Sequence, residues 1–532
     1  MTDLPPTEPA PAPSPDGPAA AASRRVQLKH LAIVAAVAAV VYGAASGPYL
    51  LKPSPHFHFV DLAHSFLQGR LDTDTPRRAA KAEPLPTDPQ GMQEAVDRHL
   101  LDRHGNSAGW NDWASYRVLT LKGGEVVKGV FPWKDQPGPR ATEFVTLDGR
   151  RMVIDVAREL KTGCTLARPW APCDEVVHQV SFPPFPAVAM LPLAWIQGYR
   201  VNDVWVTLAF AVLSVVLFWV WLERLRREGL TAHDRRAHAW LVALFAFGSV
   251  AFYCSIRGEV WFTALVMGMT LHLAYLLAAQ DARRPLLAGL LFGLGVATRT
   301  PLLYAGAFFV LEALFPQGKW LGGRGTQGLG AAAVKLGKFT VPALAIGLAL
   351  AWFNYARWGN PTEFGHFYLL EGTRGPTREH GLFNFVFLNH NLGTALLNMP
   401  RLLSEPPFIL VSRHGLGLLA CMPALVTLIG CPPPPPDAQP LDPTQEARRR
   451  ALGRHLLLSV VAVALPALFY QNDGWQQFGY RFAMDFLPPL MGAFALRVPR
   501  LTRTTKVLIV LGILVQVFGA VTFGRMEQFY YD

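Results

Sequence analysis

The chain has 532 residues, of which 51% are apolar, 11% aromatic and only 16% charged, with a net charge of +11 at pH 7. Soluble domains carry about a quarter charged residues, so this composition excludes an ordinary soluble protein. The basic excess sits in short loops between apolar runs, a pattern explained by membrane topology rather than by nucleic-acid binding.

Residues 1–23, rich in Pro, Ala and Ser, read as a disordered cytoplasmic tail without the short basic start of a signal peptide. Arg24, Arg25 and Lys29 precede the first predicted span, 31–51, and place the N-terminus in the cytoplasm. Residues 52–201 then form the first extracytoplasmic loop. It opens on an amphipathic helix, Phe57 to Leu71, with Phe59, Leu62, Ala63, Phe66 and Leu67 on one side. A β-containing insertion follows at about 110–160. Arg117 to Leu121 and Glu125 to Phe131 flank Gly123-Gly124, and Glu143 to Leu147 and Arg151 to Val156 flank Asp148-Gly149; both are hairpin signals. Cys164 and Cys173 lie in the same loop and are disulfide candidates if it is extracytoplasmic. Cys254, Cys421 and Cys431 lie in or beside apolar helices and read as packing residues.

The stretch 187–198 is apolar but short and interrupted by proline. If it spanned, the loop holding Arg224, Arg226, Arg227, Arg235 and Arg236 would fall outside, so it reads as re-entrant or surface-lying. Further spans are predicted at 203–222, 239–256, 260–279, 285–298, 301–316, 337–357, 408–430, 455–470, 481–497 and 506–523. That makes an all-α polytopic fold of about eleven transmembrane helices within 24–530, with a Pro-rich cytoplasmic loop at 431–453.

On this topology the ionisable residues at the membrane gather on the outer side, where each is a functional candidate. Asp61 and His64 share a helix face one turn apart, and Asp61 is either a general base or a solvated juxtamembrane charge. Arg257, Arg299 and Arg481 either clamp a lipid phosphate with their planar donors or reach to lipid headgroups; Arg257 has Glu259 as a further partner. Asp473, Tyr480 and Asp485 surround Arg481. The aromatics Trp352, Tyr355, Trp358, Phe364, Phe367, Tyr368, Trp475, Phe478 and Tyr480 fit a saccharide cleft or an interfacial belt. Gly289, Gly293 and Gly295 read as helix-packing residues. No nucleotide loop, HExxH or nucleophile elbow occurs. No cofactor is expected, and no clustered carboxylates demand a divalent metal.

Five segments in order resemble polytopic glycosyltransferases of the GT-C fold, in particular bacterial relatives of the dolichyl-phosphate-mannose protein mannosyltransferase group. They are His58-Phe-Val-Asp61-Leu-Ala-His-Ser-Phe-Leu-Gln-Gly-Arg-Leu-Asp72, Phe182-Pro-Pro-Phe-Pro186, Gly289-Leu-Leu-Phe-Gly-Leu-Gly-Val-Ala-Thr-Arg-Thr-Pro301, Phe353-Asn-Tyr-Ala-Arg-Trp-Gly-Asn-Pro-Thr-Glu-Phe-Gly365, and Trp475-Gln-Gln-Phe-Gly-Tyr-Arg481. The resemblance implies a multi-pass enzyme of a bacterial inner membrane. It would move a sugar from a polyprenyl-phosphate donor to a glycan, lipid or protein acceptor on the periplasmic face. It implies Asp61 as catalytic base, and Arg299 and Arg481 match basic positions near the donor phosphate. His58, His64, Arg257, Glu259 and Tyr480 join these two arginines as substrate-binding candidates on the outer side. A lipid-linked glycan ligase, a flippase or transporter, and a non-catalytic scaffold are the alternatives. A ligase would want its long outer loop late in the chain, and a transporter its charges at the bilayer midplane in matching halves.

Overall fold

The computed structural model describes residues 18–54, 56–73, 113–133, 139–154, 174–325, 327–369, 379–433 and 442–531. Cys164 and Cys173 lie outside the described residues. Among the described residues, six helices are long and apolar enough to cross a membrane: Arg25–Leu51, Asp203–Arg227, Val260–Ala282, Gly328–Trp358, Pro443–Phe469 and Arg503–Thr522. The first belongs to a helix that begins at Pro18, inside the stretch expected to be an unstructured tail.

The sequence expectation of about eleven spans is therefore not met by continuous helices of spanning length among the described residues. Pro285–Val296 has 12 residues, about 18 Å of helix, which is short of 30 Å of hydrocarbon. The predicted span 239–256 breaks at Gly248 into Arg235–Phe247 and Ala251–Ser255. The predicted span 408–430 is not one helix at all. Ile409–Ser412 is a strand, paired with Arg401–Leu402 and with Tyr530–Tyr531, followed by the short helix Leu418–Cys421 and a 3-10 turn Pro423–Leu428. Its glycines explain the break: Gly415 has φ +82°, and a Cβ at Gly417 would stand 2.6 Å from the Leu396 carbonyl carbon.

Helix starts carry the expected caps. The Asn202 side chain accepts from Val204 N at 3.0 Å, and Asp234 accepts from Ala237 N at 2.7 Å. Val260–Ala282 is the central helix, its most apolar window 89% buried, whereas the corresponding windows of Arg25–Leu51 and Gly328–Trp358 are only 17% buried. Those outer helices present Val40, Val341, Leu344 and Leu348 outward, as lipid-facing helices do.

Glycines set the helix spacing. A Cβ on Gly289 would lie 2.0 Å from Phe339 O, and one on Gly293 would lie 2.7 Å from Ile346 Cδ1. The Pro285–Val296 and Gln327–Trp358 helices thus meet through small residues four apart, as read from the sequence.

The insertion is a five-stranded antiparallel sheet in the order β4-β3-β2-β1-β5, with β1 Trp113–Thr120, β2 Val126–Val130, β3 Glu143–Thr146, β4 Arg151–Val153 and β5 Asp174–Val180. Both expected hairpins are present, and Gly124 and Gly149 take the positive φ their turns require. The fifth strand was not read from the sequence.

The sheet is anchored at two places. His58 stacks on Trp113 with ring centroids 4.2 Å apart, and Thr73 bridges to His178. Beside Trp113, Arg357 donates to Val180 O at 2.7 Å, and further along β1 Tyr116 meets Trp358 edge-on at 5.8 Å. The chain then leaves β5 through Ser181-Phe-Pro-Pro into the helix Phe185–Gln197, where Phe185 N donates to Ala297 O at 2.9 Å. This contact joins the sheet to the turn that carries Arg299. Phe185–Gln197 has 13 residues, about 20 Å of helix and short of 30 Å of hydrocarbon, with Trp195 and Ile196 exposed, and it packs on His58–Leu67.

Gly289→Ala should lower the unfolding temperature in detergent, because overpacking against a backbone oxygen costs about 1–3 kcal/mol or more. Gly347→Ala, where a Cβ meets nothing within 4 Å, should be neutral or slightly stabilising.

Candidate functional site

Two adjoining cavities share Trp261 and Arg481 in their walls. The larger, about 440 Å³, is lined by Arg299, Arg481, Asp485, Glu363, His366 and Asn472 among its polar residues and by an apolar wall that includes Leu303, Tyr304, Phe367 and Phe383. The smaller, about 180 Å³, contains Arg257, Glu259, Trp475 and Arg481.

Arg299 sits on the turn between Pro285–Val296 and the 3-10 segment Thr300–Ala305. Its own N–H still bonds back to Gly295 O, at 2.8 Å. Its side chain runs past Gly268, where a Cβ would be 2.7 Å from Arg299 Cγ; only glycine leaves that passage open. Gly268 is eight residues along the Val260–Ala279 helix, about 12 Å from its start. The Arg299 turn is thus sunk into the bundle rather than lying at the surface.

There it meets Asp485 as a planar fork. Nε donates to Oδ1 at 3.0 Å and Nη2 to Oδ2 at 2.7 Å, with both side chains largely buried. Asp485 closes the 3-10 turn Arg481–Asp485, and its main-chain oxygen bonds to His272 Nδ1 at 2.8 Å. This pairing removes the expectation that Arg299 reaches out to headgroups. Arg481, at the start of the same turn, donates Nη1 to Gln476 O at 3.2 Å. The Phe482 ring lies 5.7 Å from the Arg299 guanidinium and 5.8 Å from that of Arg481, within cation–π reach of both.

The loop after Trp358 supplies further polar residues of the wall, Glu363 and His366 among them. Glu363 accepts from Gly365 N at 2.5 Å, and Gly365 has φ +99°. Burial pushes the Glu363 carboxyl above the ordinary glutamate range, against the backbone N–H groups of Gly365, Phe367 and His366 that favour its charge. Burial, reinforced by the Arg299 charge, pushes the His366 imidazolium down to about 4, so this ring is neutral at pH 7.

The residues picked from the sequence divide into groups. Arg299 and Arg481 share the larger cavity. Arg257 and Glu259 line the smaller one, paired at 2.6 Å, and Arg257 also donates to Phe523 O at 2.8 Å. Glu259 starts the central helix with φ +72°, its N–H held by Asp203 Oδ2 at 2.7 Å and by Ser54 Oγ at 2.9 Å.

Tyr480 is buried in the bundle core and lines neither cavity. His58, Asp61 and His64 lie on the helix His58–Leu67, and they too line neither cavity. His58 packs on Trp113, and His64 on Tyr199 at 3.9 Å. Asp61 is 2% exposed, which rules out the solvated-charge alternative. Sequence reasoning named Asp485 only as a neighbour of Arg481 and passed over Glu363 and His366, which look like ordinary loop residues. Among the aromatics, Phe364, Phe367 and Trp475 face the cavities, Trp352 and Tyr355 are exposed, and Trp358, Phe478 and Tyr480 are core.

No protein-family model, curated protein or solved structure matches the chain.

Arg299→Ala should destabilise the protein by about 3–5 kcal/mol, because Asp485 is left buried without its counter-charge. Arg299→Leu combined with Asp485→Leu should recover most of that loss. Thermal unfolding of the singles and the double mutant in detergent measures the coupling, and additive losses would contradict it.

Proposed function

We propose that the protein is a membrane glycosyltransferase of a bacterial inner membrane that transfers a sugar from a polyprenyl-phosphate donor to an acceptor on the periplasmic face. The observation that carries this reading is the larger cavity. It sets Arg299 and Arg481 beside a wall of Leu303, Tyr304, Phe367 and Phe383, the complement of a molecule with one phosphate and an apolar tail.

In this reading the acceptor hydroxyl oxygen bonds to the anomeric carbon as the bond from that carbon to the phosphate oxygen breaks. The leaving lipid phosphate takes the electron pair, and Arg481, backed by Arg299, stabilises its charge. The hydroxyl proton passes to Glu363, the cavity carboxylate whose burial raises its affinity for a proton. Asp61, expected in that role from the sequence, lies apart from both cavities.

Transfer from labelled polyprenyl-phosphate sugars, measured in membranes, tests this. Arg481→Ala should lower kcat about 10²–10³-fold. Glu363→Gln should fall at least as far, while Asp61→Asn stays within a few-fold of wild type. A base is active when deprotonated, so the rate should rise with pH through a limb lying above the ordinary Glu value of 4.5, and the Gln variant should lose that limb. Sugar-lipid binding with no transfer to any acceptor class would favour a flippase and contradict the proposal. Loss of activity in Asp61→Asn alone would return the base to Asp61.

A further inference from the structure

We propose that His390, His414 and Asp473 form a binding site for one divalent transition-metal ion, zinc by preference, on the flank of the cavities. Their ligand atoms all lie within 4.8 Å of one another, and among the described residues this is the one such cluster of histidine, cysteine or carboxylate groups. His390 Nε2 is 2.8 Å from Asp473 Oδ2, and His414 Nδ1 is 2.5 Å from the same oxygen. Two imidazoles and one carboxylate are the donor set of an open zinc site, with the remaining positions left to water or substrate.

The three ligands come from three segments that meet only in the fold. His390 is on the helix Leu388–Leu396, His414 follows the strand Ile409–Ser412, and Asp473 lies in the loop after Pro443–Phe469. Each segment is held without help from an ion. Asn391, next to His390, donates its amide to Ala467 O, Leu468 O and Tyr470 O. Asn398 donates to Gly415 O at 2.6 Å, and Gln477 donates to both His414 O and Asp473 O.

The second carboxylate oxygen of Asp473 accepts from Trp475 N at 3.0 Å, which fixes the carboxylate plane from outside the cluster. Asp473 is buried, His414 half-buried and His390 exposed, so the cluster opens toward solvent on its imidazole side. Ligands in a zinc tetrahedron with bonds of about 2.0–2.1 Å stand about 3.3 Å apart. The ion therefore enters by displacing the hydrogen-bonding protons and widening each imidazole–carboxylate pair by less than about 1 Å.

The site has a structural consequence. Gln477 Oε1 accepts from the N–H of Arg481, at 2.9 Å. An ion joining His390 and His414 to Asp473 ties the loop that positions Arg481 to two neighbouring segments.

The test uses the full chain, purified without a histidine tag and stripped with a chelator. Zinc titrated by calorimetry should bind at one ion per chain and raise the unfolding temperature. Cobalt in its place should give the visible absorption of a four- or five-coordinate ion. His390→Ala, an exposed position that should not disturb folding, should weaken zinc at least tenfold and abolish the cobalt spectrum. His414→Ala should do the same, and His380→Ala, an exposed histidine outside the cluster, should do neither. No binding by wild type, or equal uptake by the His390→Ala and His414→Ala variants, would overturn the proposal.

Discussion

The ion pair between Arg299 and Asp485 is the constraint around which the rest is arranged. An arginine sunk two turns into an apolar bundle is costly unless a carboxylate meets it with good geometry. The local fold supplies those conditions. Gly268 opens the passage, and the helix before Arg299 stops after 12 residues so that the turn lies at the right depth. The 3-10 turn Arg481–Asp485 brings the counter-charge and the second arginine on one short segment. His272 holds that segment by its main chain. The cavity is what remains between these two turns and the loop carrying Glu363.

The sheet acts as a brace over this arrangement. Its strand β5 ends in Val180, whose carbonyl receives Arg357, and five residues later Phe185 bonds to Ala297 beside the Arg299 turn. Phe182 and Pro183, between those contacts, enter the cavity wall. A separate anchor is Asp203, which accepts from Ser54 and Glu259 and so joins the start of two long helices to the chain leaving the first. Several of these contacts use backbone groups as one partner, so they position the cavity walls with little dependence on flexible side chains.

Much of this was legible in the sequence, for identifiable reasons. The two hairpins were readable because Gly-Gly and Asp-Gly encode their turns locally. Strand β5 was not, because it pairs with β1 from more than fifty residues away. Arg299 and Arg481 stood out because a charge inside an apolar run is rare. Glu363 and His366 did not, because in a polar loop such residues are unremarkable until the fold buries them. The segment 408–430 was misread as one helix because hydropathy records an apolar run, not its backbone; Gly415, Gly417 and Pro423 mark where it breaks into a strand, a short helix and a 3-10 turn. The burial of Asp61 depends on the sheet and on Phe185–Gln197 covering its helix, a tertiary fact with no local signature.

The most direct test of the central claim is equilibrium binding of a polyprenyl phosphate to the purified protein in nanodiscs, with the corresponding polyprenol as control. Saturable binding of one phosphate lipid per chain is expected, at least tenfold weaker in Arg481→Ala and not competed by the polyprenol. Equal retention of phosphate lipid and polyprenol, or full phosphate-lipid affinity in Arg481→Ala, would contradict it.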